Sequence, residues 1–134
     1  MAEGSWDKLI EAAIRARLRA HAPYSNFLVG AALEDRSGAI HTGCNVENAT
    51  YGLTVCAERV AVFKAVSEGS KPGDFRRIVI AADTQELTPP CGACRQILWE
   101  FCGDVEVLLV NLQGETREHR MADLFPCAFD SRFL

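Results

Sequence analysis

A Cys-x-x-Cys motif directly after two prolines is the feature that most constrains the fold of this chain. Cys91 and Cys94 follow Pro89 and Pro90, and prolines in this position favour a helix that begins at the motif. The spacing lets two sulfurs bind one metal ion beside the free N–H groups of the helix start. Alone, the motif also fits a redox pair or half of a structural zinc site.

A third cysteine narrows these alternatives. The sequence has no second Cys-x-x-Cys motif, and its three histidines form no local ligand pattern with Cys91. The remaining plausible ligand is Cys56, at the start of another predicted helix. A structural zinc normally has four protein ligands, whereas a catalytic zinc keeps one position for water. Cys56, Cys91 and Cys94 therefore predict a catalytic site that holds one Zn²⁺ per chain.

Two charged residues follow the third cysteine. Glu58 lies in the first turn of the helix that Cys56 begins. Alone, Glu58 would be interpreted as an acid that stabilises a helix N-terminus. Beside a three-cysteine site, it is predicted to accept a proton from metal-bound water and to pass that proton on. Three thiolates leave Zn²⁺ with excess negative charge, and Arg59 is predicted to direct N–H groups at the sulfurs and offset it. The alternative for Arg59 is a surface salt bridge.

The composition limits the class of protein. The 134 residues are 49% hydrophobic and 24% charged, and the net charge is −4. This balance predicts one domain over residues 1–134, with a core that needs no disulfides. The acidic balance argues against a nucleic-acid partner, and the arginines at 15–19 are interpreted as a solvated helix face or a subunit contact.

The sequence also predicts that the protein is cytoplasmic. It lacks the pattern of a secretion signal and has no apolar run long enough to span a bilayer, which predicts a soluble protein without a membrane partner. In a reducing compartment the six cysteines favour metal binding over disulfides. Those outside the predicted metal site, Cys44, Cys102 and Cys127, are expected to be buried small side chains.

Hydrophobic periodicity predicts the element order α-β-β-α-β-α-β-β-α. The predicted helices cover 6–20, 55–68, 91–102 and 121–124. The predicted strands cover 28–34 and 40–47, which form a hairpin, and 76–83, 105–111 and 115–119. Strand-helix-strand units of this kind form crossover connections. The expected fold class is therefore α/β, a three-layer α/β/α arrangement with a mixed sheet of about five strands.

Four blocks of sequence extend the pattern beyond the cysteines. They are YSNFLVGAAL (24–33), GCNVENATYGLTVCAER (43–59), TPPCGACRQ (88–96) and DLFPCAF (123–129). The pairing of C-A-E with P-C-x-x-C resembles the zinc-dependent nucleoside and nucleobase deaminases, for which the signature H-x-E…P-C-x-x-C is established. With Cys56 in the position of the histidine, the chain is most similar to the small homotetrameric cytidine deaminases.

The resemblance implies a reaction and an assembly. Members of this family remove the 4-amino group of cytidine and 2′-deoxycytidine by hydrolysis and release uridine or 2′-deoxyuridine and ammonia, in pyrimidine salvage. In the family, zinc-bound hydroxide attacks C4, and the glutamate that matches Glu58 shuttles protons to N3 and to the departing amino group. The resemblance also implies a homotetramer whose active sites are shared between chains.

Asn45 and Glu47 are candidates for sugar binding. They lie two residues apart at the end of a predicted strand, so both side chains project to one face. There an amide and a carboxylate can grip a sugar hydroxyl, and the matching family positions bind the ribose 3′-hydroxyl.

The resemblance implies further substrate contacts. The phenylalanine that matches Phe27 packs against the pyrimidine ring, and the backbone near Ala57 holds the pyrimidine edge. Tyr51 matches a residue near a subunit-shared site, and Phe129 matches an aromatic residue that reaches a neighbouring subunit's site.

Three other functions remain open at this point. A deaminase for an antibiotic nucleoside such as blasticidin S would share the zinc chemistry, although the Asn-Glu pair suits an ordinary ribose. A non-catalytic zinc-stabilised module would need a fourth protein ligand. An enzyme that edits cytosines in polynucleotides is disfavoured by the acidic balance of the chain.

Overall fold

The computed structural model describes residues 5–134, and the strands in this range form one mixed sheet. Its five strands are β1 (Val29–Asp35), β2 (Ile40–Cys44), β3 (Phe75–Ala82), β4 (Glu106–Val110) and β5 (Thr116–Arg120). They lie in the order β2-β1-β3-β4-β5. β3 and β4 are parallel, and all other neighbouring pairs are antiparallel. The prediction of a mixed sheet of about five strands is confirmed.

Helices cover both faces of this sheet. They are α1 (Asp7–Arg17), α2 (Ala57–Ser67), α3 (Gly92–Cys102) and the short α4 (Met121–Leu124). Alternate residues of each strand point to opposite faces, so Leu33 packs with the layer of α2 and α3, whereas Ala32 packs with α1. The three-layer α/β/α arrangement is therefore confirmed. None of the helices within residues 5–134 combines the length and hydrophobicity needed to span a bilayer.

Two local expectations were wrong. The first helix ends at Arg17 and not at residue 20, and Leu18 is 70% exposed. Residues 18–20 instead form tight turns, in which Arg19 N–H donates to the Ala16 carbonyl at 3.0 Å. Among the remaining cysteines, Cys102 is buried as expected and Cys44 is half-buried, but Cys127 is exposed in a turn with a φ of 54°.

The strand directions bring two helix starts to one edge of the sheet. β2 and β3 are both antiparallel to β1, which lies between them, so they run parallel to each other. α2 follows β2 and α3 follows β3. The carboxyl ends of parallel strands meet at the same edge of a sheet, so both helices begin there. Cys56 is the N-cap of α2, and Cys91 is the N-cap of α3.

Gly43 lets α2 lie directly on β2. A Cβ atom at this position would lie 2.4 Å from the Ala57 carbonyl oxygen and 2.5 Å from the Ala61 backbone nitrogen. Because both atoms belong to the helix backbone, no side-chain rotation can relieve the overlap. The lack of a side chain at Gly43 therefore sets the distance of the first turns of α2 from the sheet.

We expect Gly43→Ala to lower the free energy of unfolding by about 1–3 kcal/mol, the usual cost of overpacking. Urea unfolding of the zinc-loaded protein at fixed free zinc measures this effect. Gly52→Ala is the matched control, because no atom lies within 4 Å of a Cβ at Gly52. Equal unfolding free energies for Gly43→Ala and the wild type would contradict the packing argument.

Candidate active site

Three cysteine thiols meet where α2 and α3 begin. The Sγ atoms of Cys56, Cys91 and Cys94 all lie within 4.8 Å of one another, and those of Cys56 and Cys91 are 3.9 Å apart. Sulfurs that share a tetrahedral zinc at about 2.3 Å are separated by roughly 3.8 Å. The cluster therefore fits one zinc ion with three protein ligands. Within residues 5–134, no other three potential ligand side chains approach one another this closely.

Arg59 interacts with this cluster from within α2. Its Nη2 donates to Cys56 Sγ at 3.3 Å and to the Thr54 carbonyl at 3.5 Å. A hydrogen bond from the Cys94 thiol, together with Arg59, lowers the pKa of Cys56 to about 5, and the same sulfur–sulfur contact and burial raise the pKa of Cys94. Among the described residues, Arg59 forms no ion pair with a carboxylate, so the alternative of a surface salt bridge is not observed.

Glu58 is a buried carboxyl in the same helix turn. It is 5% exposed, and burial raises its pKa to about 7, with a smaller contribution from the charge of Cys56. A carboxyl with a pKa near neutrality can both accept and donate a proton under ordinary conditions. Only one residue, the fully buried Ala57, lies between Glu58 and Cys56 in the sequence. The first turn of α2 therefore holds the acid close to a sulfur of the cluster.

A short ladder beside the cysteines holds the Asn-Val-Glu segment. Val46 and Val55 form an isolated antiparallel bridge, with N–H···O distances of 2.9 and 3.0 Å between their backbones. This register puts Asn45 opposite Cys56. On the other side of the segment, the His21 backbone accepts from Glu47 N–H at 2.8 Å and donates to the Asn45 carbonyl at 2.9 Å.

The side chain of Asn45 anchors the segment before β1. Its Oδ1 accepts from Val29 N–H at 2.9 Å, and its Nδ2 donates to the Phe27 carbonyl at 2.8 Å. An amide group has two donor hydrogens and two acceptor lone pairs. Asn45 is therefore partly committed to the backbone and keeps one N–H and one lone pair for another partner. Phe27, whose backbone it holds, is 41% exposed.

Glu47 lies in a neighbouring pocket of about 340 Å³. The pocket is lined by Tyr24, Ser25, Glu47, Tyr51 and Thr54. The rings of Tyr24 and Tyr51 meet edge to face with centroids 6.0 Å apart. Hydrogen bonds, chiefly from the Ser25 hydroxyl, lower the pKa of Glu47 against a smaller effect of desolvation, so its carboxylate is an acceptor at neutral pH.

Phe129 lies in a different part of the chain. Gln96 Nε2 of α3 donates to its carbonyl at 2.9 Å, and its ring stacks on Phe133 with centroids 5.8 Å apart. The ring is 55% exposed. The structure thus brings the three cysteines and Glu58 together at the helix starts. Asn45, Glu47 and Phe27 are joined through the segment before β1. Phe129 lies apart from both groups, in the C-terminal turn that α3 holds.

Sequence reasoning missed Ser25 and Thr54. The backbone carbonyl of Thr54 accepts from Arg59, and Ser25 contacts Glu47. The signal for Ser25 was local, because its hydroxyl accepts from Phe27 N–H two residues later, which is a turn typical of serine. Its contact with Glu47 spans 22 positions and has no counterpart in the local pattern.

Comparisons with known proteins agree with this geometry. Residues 5–110 match the family model for the cytidine and deoxycytidylate deaminase zinc-binding region. The chain belongs to this family. A cytidine deaminase of Halalkalibacterium halodurans is 52% identical over 122 residues, which is 90% of this chain and 91% of that protein. A cytidine deaminase of Sporosarcina psychrophila is 48% identical over 96% of this chain and 93% of that protein.

A solved structure gives the same result for the fold. The crystal structure of cytidine deaminase from Burkholderia pseudomallei superimposes with a TM-score of 0.91 at 50% identity, covering 93% of this chain and 99% of that one. The predicted family and α/β fold are confirmed. The zinc-binding region of the family and the three-cysteine cluster together support one zinc ion per chain.

We expect Cys94→Ala to reduce the zinc content from one ion per chain to nearly none, because two thiolates remain where zinc needs at least three protein ligands. Metal analysis by mass spectrometry after dialysis measures this change. Cys127→Ala removes a thiol outside the cluster and should keep the full zinc content. Retention of zinc by Cys94→Ala would exclude the proposed ligand set.

Proposed function

We propose that this protein is a zinc-dependent cytidine deaminase that hydrolyses cytidine and 2′-deoxycytidine to uridine and 2′-deoxyuridine with release of ammonia, in pyrimidine salvage. The observation that carries the proposal is a cluster of three cysteines with a buried carboxyl, Glu58, two residues after one of them, Cys56. Membership of the family supports the same reaction. Residues 1–134 would act as one catalytic domain, of which residues 1–4 lie outside the described part.

Cys56, Cys91 and Cys94 would hold the zinc through their thiolates. When bound, zinc supplies a Lewis acid that activates water for attack on C4 of the base. Arg59 donates to the sulfur of Cys56, and this contact withdraws charge from the thiolate. We assign to Arg59 the role of limiting the excess negative charge that three thiolates bring to the site.

Glu58 would carry the protons of the reaction. Its carboxylate would take one proton from the attacking water and pass it to N3 of the base. It would then take the second proton of that water, now the hydroxyl group on C4, and pass it to the departing amino group as the C4 carbonyl forms. One water is consumed and one ammonia leaves, so the carboxyl returns to its starting state. Burial supports this role, because it keeps bulk water away from the carboxyl.

The polar segment next to the cluster would hold the nucleoside. We assign the sugar hydroxyl to Asn45 and Glu47, the face of the pyrimidine to Phe27 and the edge of the base to the backbone at Ala57. The bridge between Val46 and Val55 supports this assignment, because the segment that contains Asn45 and Glu47 is thereby paired with the residues just before α2. The pocket between Tyr24 and Tyr51 lies next to Glu47.

We further propose a homotetramer with active sites shared between chains. Tyr51 and Phe129 are 74% and 55% exposed, and such aromatic surfaces are typical of protein interfaces. These two residues would complete the site of a neighbouring copy. The cytoplasm suits such an enzyme, because a reducing compartment keeps the three zinc-binding cysteines from forming disulfides.

We expect the purified zinc-loaded protein to release ammonia from cytidine, and Glu58→Gln to keep zinc and fold while its turnover falls by about 10²–10⁴-fold, because the amide cannot carry the proton. Ammonia assays, metal analysis and circular dichroism measure these quantities. Glu68→Gln changes an exposed acid just after the same helix and should keep full activity.

Two outcomes of this experiment would contradict the proposal. Full activity of Glu58→Gln would remove the proton carrier from the mechanism. Turnover of blasticidin S without turnover of cytidine would make the protein a deaminase of antibiotic nucleosides instead.

We expect light scattering to give a mass of four times the 14.7 kDa chain. Phe129→Ala should lower kcat/KM for cytidine in the assembled enzyme, whereas Leu112→Ala, at another exposed apolar residue, should not. A fully active monomer would exclude active sites that are shared between chains.

A further inference from the structure

The carboxylate of Glu47 is held by the loop that precedes β1. Its Oε1 accepts from the backbone N–H groups of Tyr24 at 3.0 Å and of Ser25 at 3.2 Å, and its Oε2 accepts from the Ser25 hydroxyl. These contacts join residues that lie more than twenty positions apart in the sequence. The orientation of the Glu47 side chain is therefore set by this loop, although Glu47 itself lies three residues after the end of β2.

The serine hydroxyl has one possible direction. It accepts from Phe27 N–H at 3.0 Å, and an ionised carboxylate has no hydrogen to donate, so the hydroxyl hydrogen must point to Glu47. Between Ser25 and Phe27, Asn26 adopts a left-handed conformation with a φ of 56°. Its N–H donates to the Ala22 carbonyl at 2.9 Å, which closes the turn and keeps the hydroxyl beside Glu47.

Counting lone pairs identifies the atom that remains free. A carboxylate oxygen accepts about two hydrogen bonds, so the two backbone contacts occupy Oε1, whereas Oε2 has one acceptor position left after the contact with Ser25. Asn45 keeps one unused N–H on Nδ2. A sugar hydroxyl can donate a hydrogen bond to Oε2 of Glu47, and it can accept one from Nδ2 of Asn45.

We propose that Ser25 is a positioning residue that fixes Glu47 so that Oε2 accepts a hydrogen bond from the 3′-hydroxyl of the nucleoside. The proposal rests on the function proposed above. It adds that recognition of this hydroxyl depends on the loop before β1. Without the Ser25 hydroxyl, Glu47 keeps its two backbone contacts through Oε1, but its Oε2 is free to rotate and to bind water.

The test compares two substrates that differ only in the 3′-hydroxyl, 2′-deoxycytidine and 2′,3′-dideoxycytidine. For zinc-loaded Ser25→Ala, we expect kcat/KM for 2′-deoxycytidine to fall about 10-fold, as for the loss of one hydrogen bond to a charged group. The fall should lie mainly in KM. For 2′,3′-dideoxycytidine, kcat/KM should change less than about 2-fold, because this substrate has no hydroxyl for Glu47 to bind.

Two control variants separate positioning from general damage to the fold. Ser25→Thr keeps a hydroxyl and should restore most of the lost kcat/KM. Ser37→Ala removes a comparable serine, whose hydroxyl donates to Asp35 Oδ1 at 2.6 Å in the turn between β1 and β2, and should leave both substrates unaffected. If Ser25→Ala does not fold, Ser25→Val compared with Ser25→Thr gives the same contrast in a side chain of nearly equal size.

A double variant tests whether Ser25 acts through Glu47. In a Glu47→Ala background, Ser25→Ala should cause no further loss of kcat/KM for 2′-deoxycytidine. Three results would overturn the proposed role of Ser25 in a wild-type protein that does release ammonia. They are an equal loss of kcat/KM on both substrates, a loss that persists in the Glu47→Ala background, and no loss at all. A wild-type protein that releases no ammonia from either nucleoside would instead overturn the proposed function and this proposal together.

Discussion

The parallel direction of β2 and β3 is the constraint on which the cysteine cluster depends. Because each strand is followed by a helix, the two helix starts lie at the same edge of the sheet. A cysteine at each start then needs little further adjustment to face the other. The bare surface of Gly43 contributes to the same result, since it sets how closely α2 lies on β2. The metal site is thus a consequence of topology as much as of residue type.

Backbone contacts extend this arrangement from the metal ligands to the pocket. The bridge between Val46 and Val55 ties the Asn-Val-Glu segment to the start of α2. Asn45 in turn holds the backbone at Phe27 and Val29. Most of these contacts are backbone hydrogen bonds or buried amide contacts, which are costly to break without replacement. The Asn-Val-Glu segment and the loop before β1 are therefore placed by the same edge of the sheet that places the cysteines.

The local order of elements was predictable because hydrophobic periodicity reports which faces are buried. α2, α3 and four of the strands begin and end within two residues of their predicted limits, whereas β2 ends at Cys44, three residues before its predicted end. The prediction failed at Leu18 and Cys127, where a turn takes over from the regular pattern. Turn geometry depends on a few specific hydrogen bonds, and periodicity carries no information about them.

The sequence by itself determined which residues form the zinc-binding cluster, because a Cys-x-x-Cys motif and a third cysteine, each at a predicted helix start, supply three thiolate ligands. It also determined the layered fold, through the alternation of apolar residues. Only the tertiary structure decided that Ser25 contacts Glu47 and that Asn45 is partly committed to the backbone at Phe27. Such contacts join segments about twenty positions apart, and their geometry depends on strand register and loop conformation, which no local pattern encodes.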